Sequence, residues 1–123
     1  MLTGIRILLA EDNRSHAEAL VRRLGEGVQV VHALDGREAR AHLASDDAFD
    51  VVLCDVLMPR MSGFALLQWV REEKPQLEPR LVFVTADPET SLARAVAQTH
   101  RVLRKPTSSE ELQGAVRAAM AKR

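Results

Sequence analysis

The chain has 123 residues, 17 of them basic and 17 acidic, with a formal net charge of zero. That length suits one domain with a continuous core, and the balanced charge excludes a global field drawing the protein to nucleic acid or an anionic membrane. The single cysteine, Cys54, excludes an internal disulfide and fits a reducing compartment, and no apolar run approaches the roughly 18 residues of a membrane span.

Apolar and helical patterns alternate regularly along the chain. Ile5-Arg6-Ile7-Leu8-Leu9-Ala10 predicts a first strand, and Ala17, Leu20, Val21 and Leu24 recur at helical spacing up to Gly25 and Gly27. Residues 28–33 predict a second strand, and Asp35-Gly36 opens a short helix carrying Ala39 and Leu43. Val51-Val52-Leu53-Cys54 predicts a third strand, and 63–74 a third helix with Phe64, Leu67 and Val70 on one face. Pro75 and Pro79 bracket what reads as a loop, since neither continues a helix. Leu81-Val82-Phe83-Val84 predicts a fourth strand, 91–98 a weaker helix, and Arg101-Val102-Leu103-Arg104 a short fifth strand. Ser108 and Glu111 have capping-box spacing ahead of a last helix whose apolar face is Leu112, Ala115, Val116 and Ala119. The basic residues near its end, Arg117, Lys122 and Arg123, read as favourable helix-end charge rather than a binding patch.

Five βα units in tandem imply an α/β fold: a doubly wound, five-stranded parallel sheet covered on both faces, because parallel strands need right-handed crossovers. The first, third and fourth runs are apolar throughout, as strands buried on both faces should be. Gln29, His32, Arg101 and Arg104 mark the second and fifth as edge strands. Residues 1–123 read as a single domain with no repeat, linker or output module, and with no signal-peptide pattern at the start a cytoplasmic location is expected.

Chemistry-bearing residues sit just where these runs end. Glu11-Asp12 follows the first run, Asp55 the third, Thr85 the fourth, and Lys105-Pro106 the fifth. In an open α/β sheet, ligands gather beyond the carboxyl ends of the strands. Taken singly, each acid could merely cap a helix, although the distance from Asp55 to the next helix makes direct capping by Asp55 a poor account. Taken together, three carboxylates in one crevice repel one another unless a cation sits among them, and hard oxygens in low number suit Mg²⁺. A threonine hydroxyl and a lysine ammonium complete a set fitted to phosphoryl transfer, where positioning and charge neutralisation dominate. An Asp carboxylate is a competent nucleophile there and yields an acyl phosphate.

Four segments in this order carry a family resemblance: Ile7 to Asn13 (Ile-Leu-Leu-Ala-Glu-Asp-Asn), Cys54 to Gly63 (Cys-Asp-Val-Leu-Met-Pro-Arg-Met-Ser-Gly), Val82-Phe83-Val84-Thr85-Ala86, and Lys105-Pro106. Over essentially its whole length the chain resembles a response regulator receiver domain of two-component signalling. The resemblance implies a flavodoxin-like (βα)5 fold with strand order 2-1-3-4-5. It implies that Asp55 is the phosphoacceptor, charged by a histidine kinase, a histidine phosphotransfer protein or a small acyl phosphate. Asp12 and Asp55 would ligate Mg²⁺ with the Leu57 backbone carbonyl, and Glu11 would act largely through water. Thr85 would move toward the phosphoryl group, Lys105 would pair with it, and Lys105-Pro106 would be a cis peptide. Such a domain catalyses only its own phosphorylation and dephosphorylation, switches the binding of a downstream protein target, and itself touches neither nucleic acid nor membrane.

The chain departs from the family pattern in two places. An aromatic residue usual three positions before the lysine is replaced by Val102, and the segment Ala97-Gln98-Thr99-His100 lacks a common Gly-Ala turn. These departures put an aromatic switch in doubt and are more like receivers attached to hybrid histidine kinases. They keep open a second reading, a pseudo-receiver that binds partners constitutively. A haloacid-dehalogenase-type enzyme would want a second acid two residues past Asp55, where Leu57 stands. The four histidines, His16, His32, His42 and His100, show no metal-ligand spacing and read as solvated or edge residues. Cys54, on a buried strand and pointing away from the rim, reads as core. Trp69 reads as partly exposed, and Met58 and Met61 as packing for the loop after Asp55.

Overall fold

A computed structural model describes residues 2–46 and 48–121 of the chain. Met1, Asp47, Lys122 and Arg123 lie outside the described residues, and with them part of the basic chain end noted above. The strands are β1 (Ile5–Ala10), β2 (Val28–Ala33), β3 (Val51–Asp55), β4 (Leu81–Thr85) and β5 (Val102–Arg104). The helices are α1 (Arg14–Leu24), α2 (Gly36–Ser45), α3 (Gly63–Glu73), α4 (Ser91–Ala97) and α5 (Ser109–Ala121). All pairings are parallel, and the sheet order is β2-β1-β3-β4-β5. This is the doubly wound, flavodoxin-like α/β fold that five βα units require.

Strand alternation divides the core into two layers. Leu8, Ala10, Val52, Cys54, Leu81 and Phe83 face one side, against Leu43, Leu67, Val70 and Val96 of α2, α3 and α4. Ile7, Leu9, Leu53, Val82, Val84 and Leu103 face the other, against Leu20, Leu24, Leu112 and Val116 of α1 and α5. Each fully buried leucine in these layers contributes roughly 1.5–3 kcal/mol of apolar burial, so the sheet is anchored from both faces. The central strands β3 and β4 are buried at every position, while β2 and β5 are partly open edges, as their polar residues predict.

Helix starts follow side-chain caps. Asn13, Asp35, Ser62 and Thr90 each accept a hydrogen bond from the backbone N–H three residues on. At α5 the Ser108 hydroxyl accepts from Glu111 N–H at 3.0 Å, the first half of the expected capping box, and it donates to the Glu111 carboxylate at 3.3 Å. One expectation fails: 75–80 is not a loop but a 3-10 helix, Pro75–Arg80. Pro75 occupies its start, where the missing N–H costs nothing, and buried Leu77 pins the turn to the core. Smaller differences lie at element ends, where α3 stops at Glu73, α4 at Ala97, and β5 begins at Val102.

Candidate functional site

Every residue singled out at a strand end reaches one rim, beyond the carboxyl ends of β1, β3, β4 and β5. Glu11, Asp12, Asp55, Leu57, Thr85 and Lys105 line a single cleft, joined by Asn13, His16, Ala86 and Asp87. Glu11, Asp12 and Asp55 each offer a carboxylate oxygen within 4.8 Å of the other two. Glu11 and Asp55 are buried and Asp12 is exposed. Hard oxygens converging this closely, one of them open to solvent, fit a small divalent cation that keeps part of its water shell.

The ammonium of Lys105 bridges the two buried acids. Its Nζ donates to Glu11 Oε1 and, at 2.8 Å, to Asp55 Oδ2. Lys105 is brought there by β5: its backbone N–H donates to the Thr85 carbonyl at 2.8 Å, and the Lys105-Pro106 peptide is cis, as the resemblance implied. The other Asp55 oxygen, Oδ1, accepts from Leu57 N–H at 3.2 Å. Leu57 itself is a large exposed hydrophobic, while Met58 and Met61 pack on the core as expected.

Burial drives the electrostatics. Desolvation pushes the Glu11 carboxyl up to about 7, its hydrogen bond with Lys105 opposing and the Asp55 charge adding to the rise. Burial alone would lower Lys105, but its hydrogen bonds to Asp55 and Glu11 outweigh that and hold its pKa above the usual value. Glu11 Oε2 also accepts from Asn13 N–H at 3.1 Å. Cys54 is buried in the opposite layer, and desolvation pushes its thiol far above the ordinary range. It is a core residue, as expected.

Thr85 lines the cleft, yet its hydroxyl is turned to its own loop. It donates to the Asp87 carbonyl and accepts from Asp87 N–H, each at 3.2 Å. Val102, opposite Phe83 in the β4–β5 register, is half-buried against the α3–α4 layer, so the space is filled by an aliphatic side chain. Trp69 is half-buried on that same layer.

Three features escaped the sequence reading. Asn13, not Glu11 or Asp12, caps α1, and its type just ahead of a helix is the signal that could have found it. The histidines are not all idle solvated groups. His16 Nδ1 lies 3.1 Å from Lys105 Nζ, His32 Nε2 lies 2.7 Å from the Glu11 carbonyl oxygen, and the mostly buried His100 ring packs edge-on against Phe83. Burial and partners brought by tertiary packing override their surface propensity, and spacing carried no trace of that. Third, the loop after Asp55 is tied to α2: Arg60 Nε donates to Asp35 Oδ2 at 2.6 Å, and Gly36 N–H to the Met61 carbonyl at 3.2 Å.

The parallel sheet in the order β2-β1-β3-β4-β5, with clustered acids and a lysine at its carboxyl rim, defines a flavodoxin-like α/β domain with a charged rim site. Residues 7–117 match the response regulator receiver domain family, and the chain belongs to it. It is 37% identical over 118 residues to the response regulator MprA of Mycolicibacterium vanbaalenii, a match covering 94% of this chain and 50% of that protein. The chain thus spans about half the length of that relative. The receiver domain of a signal transduction histidine kinase from Syntrophus aciditrophicus superimposes with a TM-score of 0.79 at 29% identity, covering 97% of this chain and 92% of that one. The receiver domain of the Francisella response regulator 1452 gives a TM-score of 0.80 at 23% identity over 97% and 98%, a likeness of fold. Receiver domains act in two-component signalling, accept a phosphoryl group, bind Mg²⁺ at an acidic pocket, and interact with histidine kinases and downstream effectors; they are not enzymes in the ordinary sense. Among the described residues no helix is long and apolar enough to cross a membrane.

Proposed function

We propose that this chain, residues 1–123, is a single receiver domain that takes a phosphoryl group onto Asp55 and thereby switches the binding of a protein partner. The observation that carries this reading is the convergence of Glu11, Asp12 and Asp55 within 4.8 Å, with the Lys105 ammonium on the two buried acids. An Asp55 carboxylate oxygen attacks the phosphorus of a phosphohistidine on a kinase or phosphotransfer protein. The new P–O bond forms as the P–N bond breaks, and the departing imidazole keeps the electron pair and takes a proton from solvent. Asp12, Asp55 and the Leu57 carbonyl would hold Mg²⁺, with Glu11 acting through water. When bound, that ion neutralises charge on the acids and on the phosphoryl oxygens.

The rest falls to the chain. Lys105 already points at Asp55, so moving one donated hydrogen from carboxylate to phosphoryl oxygen needs only a local shift. Thr85 must release the Asp87 backbone before its hydroxyl can donate to a phosphoryl oxygen, which re-forms the loop 86–90. That loop leads into α4, and its rearrangement supplies an output that needs no aromatic at Val102. The domain catalyses only its own phosphorylation and dephosphorylation. Its cognate donor is a cytoplasmic histidine kinase or phosphotransfer protein. Its target is a protein surface, with no direct nucleic-acid contact and no membrane insertion.

Incubation with Mg²⁺ and acetyl phosphate, followed by intact mass measurement, tests this. One base-labile phosphoryl adduct is expected, absent in Asp55→Asn. No adduct from acetyl phosphate or any histidine kinase leaves the pseudo-receiver reading, which the half-buried aliphatic Val102 favours.

A further inference from the structure

An ammonium has three hydrogens, and at Lys105 each has its own acceptor: Glu11, Asp55 and the Nδ1 of His16, the last at 3.1 Å. An ammonium can only donate, so Nδ1 is the acceptor and the His16 ring proton sits on Nε2. The contact joins residues 89 positions apart. It is set by local structure on both sides. The Asn13 side chain accepts from His16 N–H at 3.0 Å, which locks His16 into the first turn of α1 on the side facing the cleft. Lys105 is fixed from the other side by β5.

The two acids and the histidine approach the ammonium differently. Glu11 and Asp55 are buried acids, and either one alone could draw the lysine to itself. His16 is exposed and neutral as an acceptor, on the solvent side of the lysine. It adds little attraction, but it takes the hydrogen that would otherwise turn to water, and so adds a third restraint on the rotation of the ammonium about its last bond, beside those of Glu11 and Asp55. Resting on the phosphoacceptor reading above, we propose that His16 is a positioning residue. Through Nδ1 it orients Lys105 so that the hydrogen now on Asp55 is presented to an incoming phosphoryl oxygen.

Two variants of the full chain test this, His16→Leu, which removes the acceptor, and His16→Gln, which keeps one on a side chain of similar reach. Both change an exposed residue, and an unshifted melting midpoint verifies that each is folded. At neutral pH and low temperature, the Lys105 ammonium hydrogens of a ¹⁵N-lysine-labelled sample should exchange with water roughly fivefold faster in His16→Leu than in the unsubstituted chain, the loss of one solvent-exposed hydrogen bond. With acetyl phosphate and Mg²⁺, the maximal phosphorylation rate should fall by a similar factor while the half-saturating donor concentration stays put. His16→Gln should restore both readouts to within about twofold. Unchanged exchange in His16→Leu, or a glutamine variant as impaired as leucine, overturns the proposal. If the unsubstituted chain takes up no phosphoryl group, the phosphoacceptor reading fails by itself, and the exchange measurement still decides whether His16 holds the lysine.

Discussion

Gly63 lies where the chain returns over Asp55. Its N–H donates to the Val56 carbonyl at 2.8 Å, and a Cβ built on it would stand 2.5 Å from the Asp55 carbonyl oxygen and 2.9 Å from Val56 Cα. Both neighbours are backbone, at the end of β3 and one residue beyond it, so neither can give way as a flexible side chain could. Gly63→Ala therefore forces the start of α3 away from β3, at a cost of about 1–3 kcal/mol in unfolding free energy. The same displacement shifts the Leu57 N–H that holds Asp55 Oδ1. The expected result is a lower urea midpoint together with slower phosphorylation from acetyl phosphate. Full stability in this variant would mean that the contact is less rigid than its geometry.

At the scale of elements, the loop 56–62 is held from outside by the start of α2 as well as by its own hydrogen bonds. Asp35 is buried and has two jobs, capping α2 through Glu38 N–H at 2.9 Å and pairing with Arg60, whose backbone adopts φ of 64°. The backbone hydrogen bond from Glu38, aided by Arg60 and opposed by burial, holds the Asp35 carboxyl below the usual carboxylate range. A depressed folded-state pKa contributes stability that is fully present above the unfolded value of about 3.9 and is lost as pH falls through the folded one. Asp35→Asn keeps a capping oxygen and removes the charge, so it should cost about 0.5–1 kcal/mol at pH 7, a range tempered by the exposure of Arg60. Unfolding curves of the two proteins should converge as pH drops below about 4, and a gap that stays constant with pH would assign the loss to the cap instead. The Asp35 cap was legible, because Asp-Gly ahead of apolar helical spacing announces a helix start. Its pairing with Arg60, 25 residues away, was not, since the sequence gives no sign of which loops meet. The 3-10 helix Pro75–Arg80 was hidden for a related reason: two prolines read as breakers until Leu77 finds its place in the core.

The whole molecule is a sheet stabilised from two faces that carries a cluster of three acids on one rim, and the two halves of that design were unequally readable. Three of the five strands were visible because apolar runs buried on both faces look alike in any chain, β2 and β5 as shorter or more polar edges beside them, and the rim followed from topology. The partners within the rim were not visible, because burial of Glu11 and its capture of Lys105 depend on how the finished sheet closes around them. Lys105 offsets two of the three acids directly, while Asp12 stands exposed beside them. Folding thus holds negative charge together that the unfolded chain spreads apart, and a cation that binds only the assembled rim must add to stability by mass action. At a Mg²⁺ concentration about ten times the dissociation constant the gain is about 1.4 kcal/mol, or roughly 5 °C in melting midpoint for a chain of this size. Asp12→Asn leaves the core and the lysine contacts untouched and removes the one exposed carboxylate of the cluster, so the metal-dependent rise should largely vanish in that variant. Calorimetry with and without Mg²⁺, at constant ionic strength so that general screening cancels, measures the difference. An equal rise in both proteins would place the stabilising ion somewhere other than among Glu11, Asp12 and Asp55.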